Sequence, residues 1–209
     1  MSHEEKALDR VYAAKSPREL ERAYADWAAD YDRDTIALGY SLPFVIAGWV
    51  ARHVPHGDGP LLDAGCGTGL SGPFLKALGY DDLVGLDYSR EMLDLAGQRN
   101  AYRELRQAEL GTTLPWPDDH IAAFLSSGVF TAGHAPASSF EELVRITRPG
   151  GHAIFTVRDL LLEDGGFSDA FRRLEDAGRW RRVEESEPFR AFVLAEPEVK
   201  VKAFVFEIV

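Results

Sequence analysis

From Leu61 to Leu70 the chain reads Leu-Leu-Asp-Ala-Gly-Cys-Gly-Thr-Gly-Leu, two apolar residues, an acid, and then glycine at alternate positions 65, 67 and 69. Such a run is a short buried strand entering a glycine loop, with the acid Asp63 near the strand end. Glycine permits positive φ and lets a ligand touch bare backbone. A helix starting after the loop turns its unpaired N–H groups and positive dipole end toward the same space, which favours an anionic group there. Two frames fit. Gly67-Thr-Gly-Leu-Ser-Gly72 matches the dinucleotide fingerprint G-x-G-x-x-G, with Asp87 about twenty residues on as a ribose-binding acid. In that fingerprint the first glycine follows the strand at once, whereas here Ala64, Gly65 and Cys66 intervene. The frame Asp-x-Gly-x-Gly-x-Gly, with a second strand-terminal acid at Asp87, accounts for all of these residues.

Other residues could do chemistry. Leu20, Ala23, Tyr24, Trp27, Ala28 and Tyr31 recur at the spacing of one helix face, giving an aromatic stripe that is either core or a cover over a ligand. Ser126, Ser127, Gly128, Val129 and Phe130 close an apolar run, with His134 just beyond, and Arg158 and Asp159 close another. Ligands of open parallel sheets sit at such carboxyl ends. His134 titrates near neutral pH and is the candidate general base. Cys66, the only cysteine, has no His or Lys close in sequence to activate it and reads as a small packing residue. No acidic cluster shows metal-ligand spacing, so the site is expected to hold no metal.

The elements that position these residues follow from the pattern. Capping boxes at Ser2-His-Glu-Glu5 and Ser16-Pro-Arg-Glu19 predict two opening helices, and Pro43 to His53 a third. Strands are expected at Leu61–Ala64, Leu83–Asp87, Arg103–Leu110, Ile121–Leu125 and His152–Val157. Helices separate them at about 73–78, after the cap Ser89, and at Phe140–Ile146. This alternation means a parallel sheet covered on both faces. A helix through Phe171 and Leu174 follows, stopped by Gly178. Trp180–Glu187 and Val199–Ile208 then come with no helix between them, which predicts an antiparallel pair at the sheet edge. The expected fold is α/β, a Rossmann-like doubly wound sheet of seven strands, mostly parallel, with N-terminal helices. It forms a single domain over 1–209, with a helical lid region at 1–56 and a core at 57–209.

Composition narrows the partners. A formal charge of −11 and a pI near 5.0 exclude a broad nucleic-acid surface, which needs clustered Lys and Arg. Hydrophobic residues at 45% and charged residues at 27% are ordinary for a globular chain. No apolar run approaches the roughly 20 residues of a membrane span, and the charged start Met-Ser-His-Glu-Glu-Lys does not resemble a signal peptide. A lone cysteine and this start point to the cytoplasm.

The motif Leu62-Asp-Ala-Gly-Cys-Gly-Thr-Gly69, followed by Val84-Gly-Leu-Asp-Tyr-Ser89 and Met92-Leu93, resembles the class I S-adenosylmethionine-dependent methyltransferases. Leu114-Pro-Trp-Pro-Asp118 and Thr147-Arg-Pro-Gly-Gly151 agree with that likeness. Tyr24-Ala-Asp-Trp-Ala-Ala-Asp-Tyr-Asp32, Leu38-Gly-Tyr40 and Leu174-Glu-Asp-Ala-Gly178 look most like the Williams-Beuren-region methyltransferase-like group. The resemblance implies S-adenosyl-L-methionine as cofactor and methyl transfer to a small-molecule acceptor, with no nucleic-acid or membrane partner. Asp63 would order the loop and meet the cofactor's ammonium through water, backbone at Gly65, Cys66 and Gly67 would lie along its methionine part, and Gly69 of the same loop would belong to the cofactor site. Asp87 would accept both ribose hydroxyls, Tyr88 and Met92 would flank the adenine, and Glu109 with Leu110 would meet its edge. Ser127 would face the cofactor from the end of the fourth strand, and Tyr24, Trp27 and Tyr31 would form the lid, their π faces suited to a sulfonium. The strand-four ending Ser-Ser-Gly-Val-Phe lacks the Asn/Asp-Pro-Pro-Tyr/Phe motif of amino-group methylation, which argues against nucleic-acid amines. Two alternatives stay open: a non-catalytic cofactor-binding module, and an NAD-linked oxidoreductase using the other glycine frame.

Overall fold

The computed structural model describes Arg10, Val11, Ala13 and residues 17–209, apart from the side chains at 17, 18, 20, 21 and 25. The Ser2–Glu5 capping box, Ser16 and the side chain of Leu20 therefore lie outside the described residues. Helix α1 (Pro17–Ala37) and α2 (Leu42–His53) precede β1 (Leu61–Ala64). Proline at the start of α2 costs nothing there, since the first-turn N–H has no partner to lose. The alternating part runs α3 (Ser71–Ala77), β2 (Leu83–Asp87), α4 (Arg90–Gln98), β3 (Glu104–Gln107), β4 (Ile121–Phe130), α5 (Ser139–Ile146) and β5 (Thr147–Arg158). It ends with α6 (Leu161–Asp164), α7 (Phe167–Asp176), β6 (Trp180–Glu185), β7 (Phe189–Arg190) and β8 (Lys200–Ile208). Ser89 caps α4 as expected, its hydroxyl accepting the Met92 N–H at 3.2 Å.

The strand order is β3-β2-β1-β4-β5-β8-β6, with β7 also on β8. The pairs β1–β2, β2–β3, β1–β4 and β4–β5 are parallel, and β8 pairs antiparallel with β5, β6 and β7. The expected antiparallel pair is present, but only β6 is an edge, because β8 is inserted between β5 and β6. The reason lies in β8 itself: Ala203, Phe204, Val205 and Phe206 are all buried, so apolar side chains leave the strand on both faces. A strand with two apolar faces belongs inside a sheet covered on both sides. The two-residue β7, the one-turn α6 and the extension of β4 from Leu125 to Phe130 were not legible in the local pattern.

Each sheet face has its own core. On one, Phe140, Phe155, Phe171, Trp180, Phe204 and Phe206 pack together, with the Trp180 and Phe206 rings stacked at 4.0 Å. On the other, Ile46, Ala47 and Val50 of α2 and Leu75 of α3 cover Leu61, Leu83, Leu125 and Val205. The sheet order reverses between β1 and β4, where the connections out of these strands leave toward opposite sides, and the crevice of such sheets opens there. Among the described residues no helix is long and apolar enough to cross a membrane.

Candidate functional site

β1 delivers the glycine loop to the crevice. The N–H groups of Gly65 and Cys66 both donate to the Leu86 carbonyl, at 2.7 and 2.9 Å, which pins the loop to the end of β2. Gly65, Gly67 and Gly69 all have positive φ, but they serve different ends. A side chain at 67 would project into open space, so Gly67 leaves cleft wall bare. A side chain at 69 would meet the Tyr102 ring at 2.9 Å and Ala96 at 3.1 Å, so Gly69 is a close-packing position away from the cleft.

Asp87, at the end of β2, accepts the Gly67 N–H at 2.8 Å and the Ser89 N–H at 2.9 Å. Burial pushes its carboxyl up, and these backbone donors pull it back down. Asp63 lies beneath the loop, 1% exposed, and accepts the Tyr102 hydroxyl at 2.7 Å. Burial pushes it up to about 7, the Tyr102 bond opposes this, and the charge of Asp87 adds to it.

A cleft of about 210 Å³ opens over this loop. Its walls include Gly65, Gly67, Asp87, Tyr88 and Met92 on the β1–β2 side, and Glu109 and Leu110 beyond β3. Ser127 and His134 face them from the end of β4, and Tyr24 and Tyr31 of α1 form the cover. Eleven of the fifteen residues given a catalytic or cofactor-binding role in the sequence thus border one space, as do Gly128 and Val129 of the β4 end. Four do not line it. Asp63 supports the loop from below. Cys66 packs with Leu93 and Ala96, its thiol pushed well up by burial, so it is neither wall nor nucleophile. Gly69 is filled against by Tyr102. Trp27 is 4% exposed, packs with Leu38, Leu42, Phe192 and Val201, and donates its indole N–H to Asp34 at 3.0 Å. Its place is a core beneath the cover rather than the cofactor-facing side, because that cluster supplies an apolar neighbourhood that the open cleft does not. Of the other strand-end residues, Phe130 is core and Ser126 donates to the Ala64 carbonyl at 2.7 Å.

Three features escaped the sequence reading. Tyr40 reaches the cleft because Gly128, at φ +73, leaves the space: a Cβ there would fall 2.2 Å from the Tyr40 hydroxyl. The only sequence signal was the Leu38-Gly-Tyr40 turn. Asp32 ties α1 to the glycine loop, its carboxylate accepting the Thr68 hydroxyl at 2.6 Å and pairing with Arg99, which also donates to the Thr68 carbonyl at 2.5 Å. Tyr24 and His134 meet, hydroxyl to Nε2, at 2.8 Å, with His134 Nδ1 3.0 Å from the Ala132 carbonyl. A carbonyl only accepts, so Nδ1 carries the proton and Nε2 accepts from Tyr24. Burial lowers the His134 pKa, which favours the neutral imidazole with Nε2 unprotonated. Among the described residues no three His, Cys, Asp or Glu are grouped to hold a metal ion.

Residues 62–155 match a methyltransferase domain family. Methyltransferase-like protein 27 of Homo sapiens is 34% identical over 166 residues, covering 75% of this chain and 66% of that protein. Malonyl-[acyl-carrier protein] O-methyltransferase of Pectobacterium atrosepticum is 30% identical over 154 residues, 69% of this chain and 58% of that protein. The chain therefore spans somewhat less than two thirds of the length of these curated relatives. In fold it is similar to a TehB-like SAM-dependent methyltransferase from Corynebacterium glutamicum, with a TM-score of 0.62 at 21% identity over 90% of this chain and 100% of that one. The glycine loop and Asp87 at the crevice of a mostly parallel sheet lie within the matched segment, and with these relatives they lead to one conclusion: the chain belongs to the class I S-adenosylmethionine-dependent methyltransferases.

Proposed function

We propose that this protein moves a methyl group from S-adenosylmethionine to a small-molecule acceptor, within one domain whose core is 57–209 and whose cover is the N-terminal helical region. The observation that carries the reading is that Asp87, the bare backbone at Gly67 and the Tyr24–His134 pair face one cleft. The residues fit the cofactor. Asp87 keeps lone pairs beyond those used by Gly67 and Ser89, enough to accept two ribose hydroxyls. The open space at Gly67 admits a methionine moiety against backbone. Met92 and Tyr88 offer faces to an adenine, with Glu109 and Leu110 at its edge and Ser127 across from them.

When bound, the cofactor supplies a methyl group activated by its sulfonium. The chain has then to align an acceptor and exclude water, which is the role of the cover formed by Tyr24, Tyr31 and Tyr40. Where the acceptor nucleophile carries a proton, it passes to the Tyr24 oxygen as Tyr24 hands its own proton to His134 Nε2, the one ring nitrogen without a proton, since Nδ1–H is held by the Ala132 carbonyl. A cleft this small, in a chain of net charge −11, suits a metabolite rather than a nucleic acid. Calorimetry with S-adenosylmethionine, S-adenosylhomocysteine and NAD, followed by a methyl-donor depletion assay over a metabolite panel, tests the reading. Binding of NAD instead of the first two overturns the cofactor. Binding without turnover on any acceptor favours a non-catalytic module.

A further inference from the structure

A second cavity, of about 60 Å³, adjoins the cleft. Tyr24, Tyr31, Tyr40, Gly128 and His134 belong to the walls of both spaces, so the two adjoin at the candidate base. Trp27, Leu42, Phe192, Val199 and Val201 make much of its wall apolar. In it stands Arg158, from the carboxyl end of β5. Among the described residues that border this cavity, Arg158 is the sole Lys or Arg, and none is an acid. One guanidinium nitrogen donates to the Glu198 carbonyl at 3.2 Å, while Nε is buried and has no hydrogen-bond partner. Nε is ion-paired with Asp159 at 3.8 Å, beyond hydrogen-bond reach, and that carboxylate already accepts the Leu160 N–H at 2.9 Å, so the guanidinium keeps donors to spare. An always-charged guanidinium with an unmet buried donor, beside an apolar wall and a catalytic cleft, is built for an anionic oxygen, and its planar fork matches a carboxylate.

We propose that this cavity is the acceptor subsite, and that Arg158 selects acceptors bearing a carboxylate a few atoms from the nucleophile presented to the Tyr24–His134 pair. The inference rests on the methyl-transfer reading above and adds the acceptor's class. At roughly 10 to 15 Å³ for each water-sized group, the cavity takes about four to six non-hydrogen atoms, enough for a carboxylate on a short apolar link. The remainder of the acceptor would extend into the cleft.

The test uses the full chain saturated with S-adenosylhomocysteine, with butyrate and butyramide as probes of equal shape and different charge. Methyl NMR of Val199 and Val201 reads occupancy. Butyrate is expected to shift both valines at concentrations at least tenfold lower than butyramide, and Arg158→Gln to abolish that difference while leaving S-adenosylhomocysteine affinity unchanged. Equal effects of the two probes, valine signals that do not move, or a butyrate preference that persists in Arg158→Gln would each overturn the proposal. Should Arg158→Gln not fold, the wild-type comparison decides alone. Failure of S-adenosylhomocysteine to bind would instead sink the methyl-transfer reading, and the butyrate comparison on the free protein would still test Arg158.

Discussion

Two aspartates 24 residues apart in sequence, Asp63 and Asp87, end neighbouring parallel strands, yet their surroundings give them different work. Asp87 borders the cleft and holds its charge with two backbone N–H donors. If it holds the ribose as proposed, replacing it with alanine removes two charge-assisted hydrogen bonds, each worth about 1.5 to 3 kcal/mol, so S-adenosylhomocysteine affinity is expected to fall at least about tenfold by calorimetry. Unchanged affinity would remove Asp87 from the ribose site. Asp63 is instead buried with its carboxyl pushed from 3.8 to about 7. A raised folded pKa means the native state binds the extra proton. The associated stability is complete below pH about 4 and is lost as pH rises through about 7, on the order of 4 kcal/mol at most. Asp63→Asn keeps an oxygen for the Tyr102 hydroxyl and has no charge to bury. Its thermal midpoint should therefore exceed that of the wild type at pH 8 by more than at pH 4, and parallel midpoint curves would contradict the burial argument.

At the scale of elements, α1 is both core and cover. Trp27 belongs to the core side, so Trp27→Ala is expected to cost about 3 to 5 kcal/mol of stability in denaturant melts, equally with and without cofactor. A loss confined to cofactor binding would restore it to the lid. Asp32 governs the cover side, because it joins α1 to Thr68 of the glycine loop and Arg99 after α4. Asp32→Asn should lower hydrogen-exchange protection across α1 while β1 and β4 keep theirs, since only the tether is weakened. Protection unchanged in α1 would show that its apolar contacts alone hold it down.

For the molecule as a whole, the net charge of −11 sets which partners can approach. Phosphate backbones require clustered cations, and the basic run Arg179–Arg182 is spent on acids, Arg181 on Glu207 and Arg182 on Glu175 and Glu185. No gel shift of RNA or DNA is expected at about 150 mM salt. Tight binding there would reopen the acceptor class.

What the chain's sequence settled by itself was local: the strand, glycine loop and helix of the cofactor side, the cap at Ser89, the alternation that makes the sheet parallel, and the acid at Asp87. Each depends on residues within one strand–turn–helix unit, where periodicity and φ requirements act over a few positions. Tertiary structure alone decided the rest. Tyr24 and His134 are 110 residues apart and meet only because α1 folds over the end of β4. Trp27 and Tyr24 share a stripe, and the stripe carries no sign of which would face the cleft until Phe192 and Val201, from the far end of the chain, supply a core for one of them. The insertion of β8 between β5 and β6 brings Val199 and Val201 against Arg158. A cation at the end of a strand becomes a buried donor only when a distant segment closes over it, and no local pattern encodes that closure.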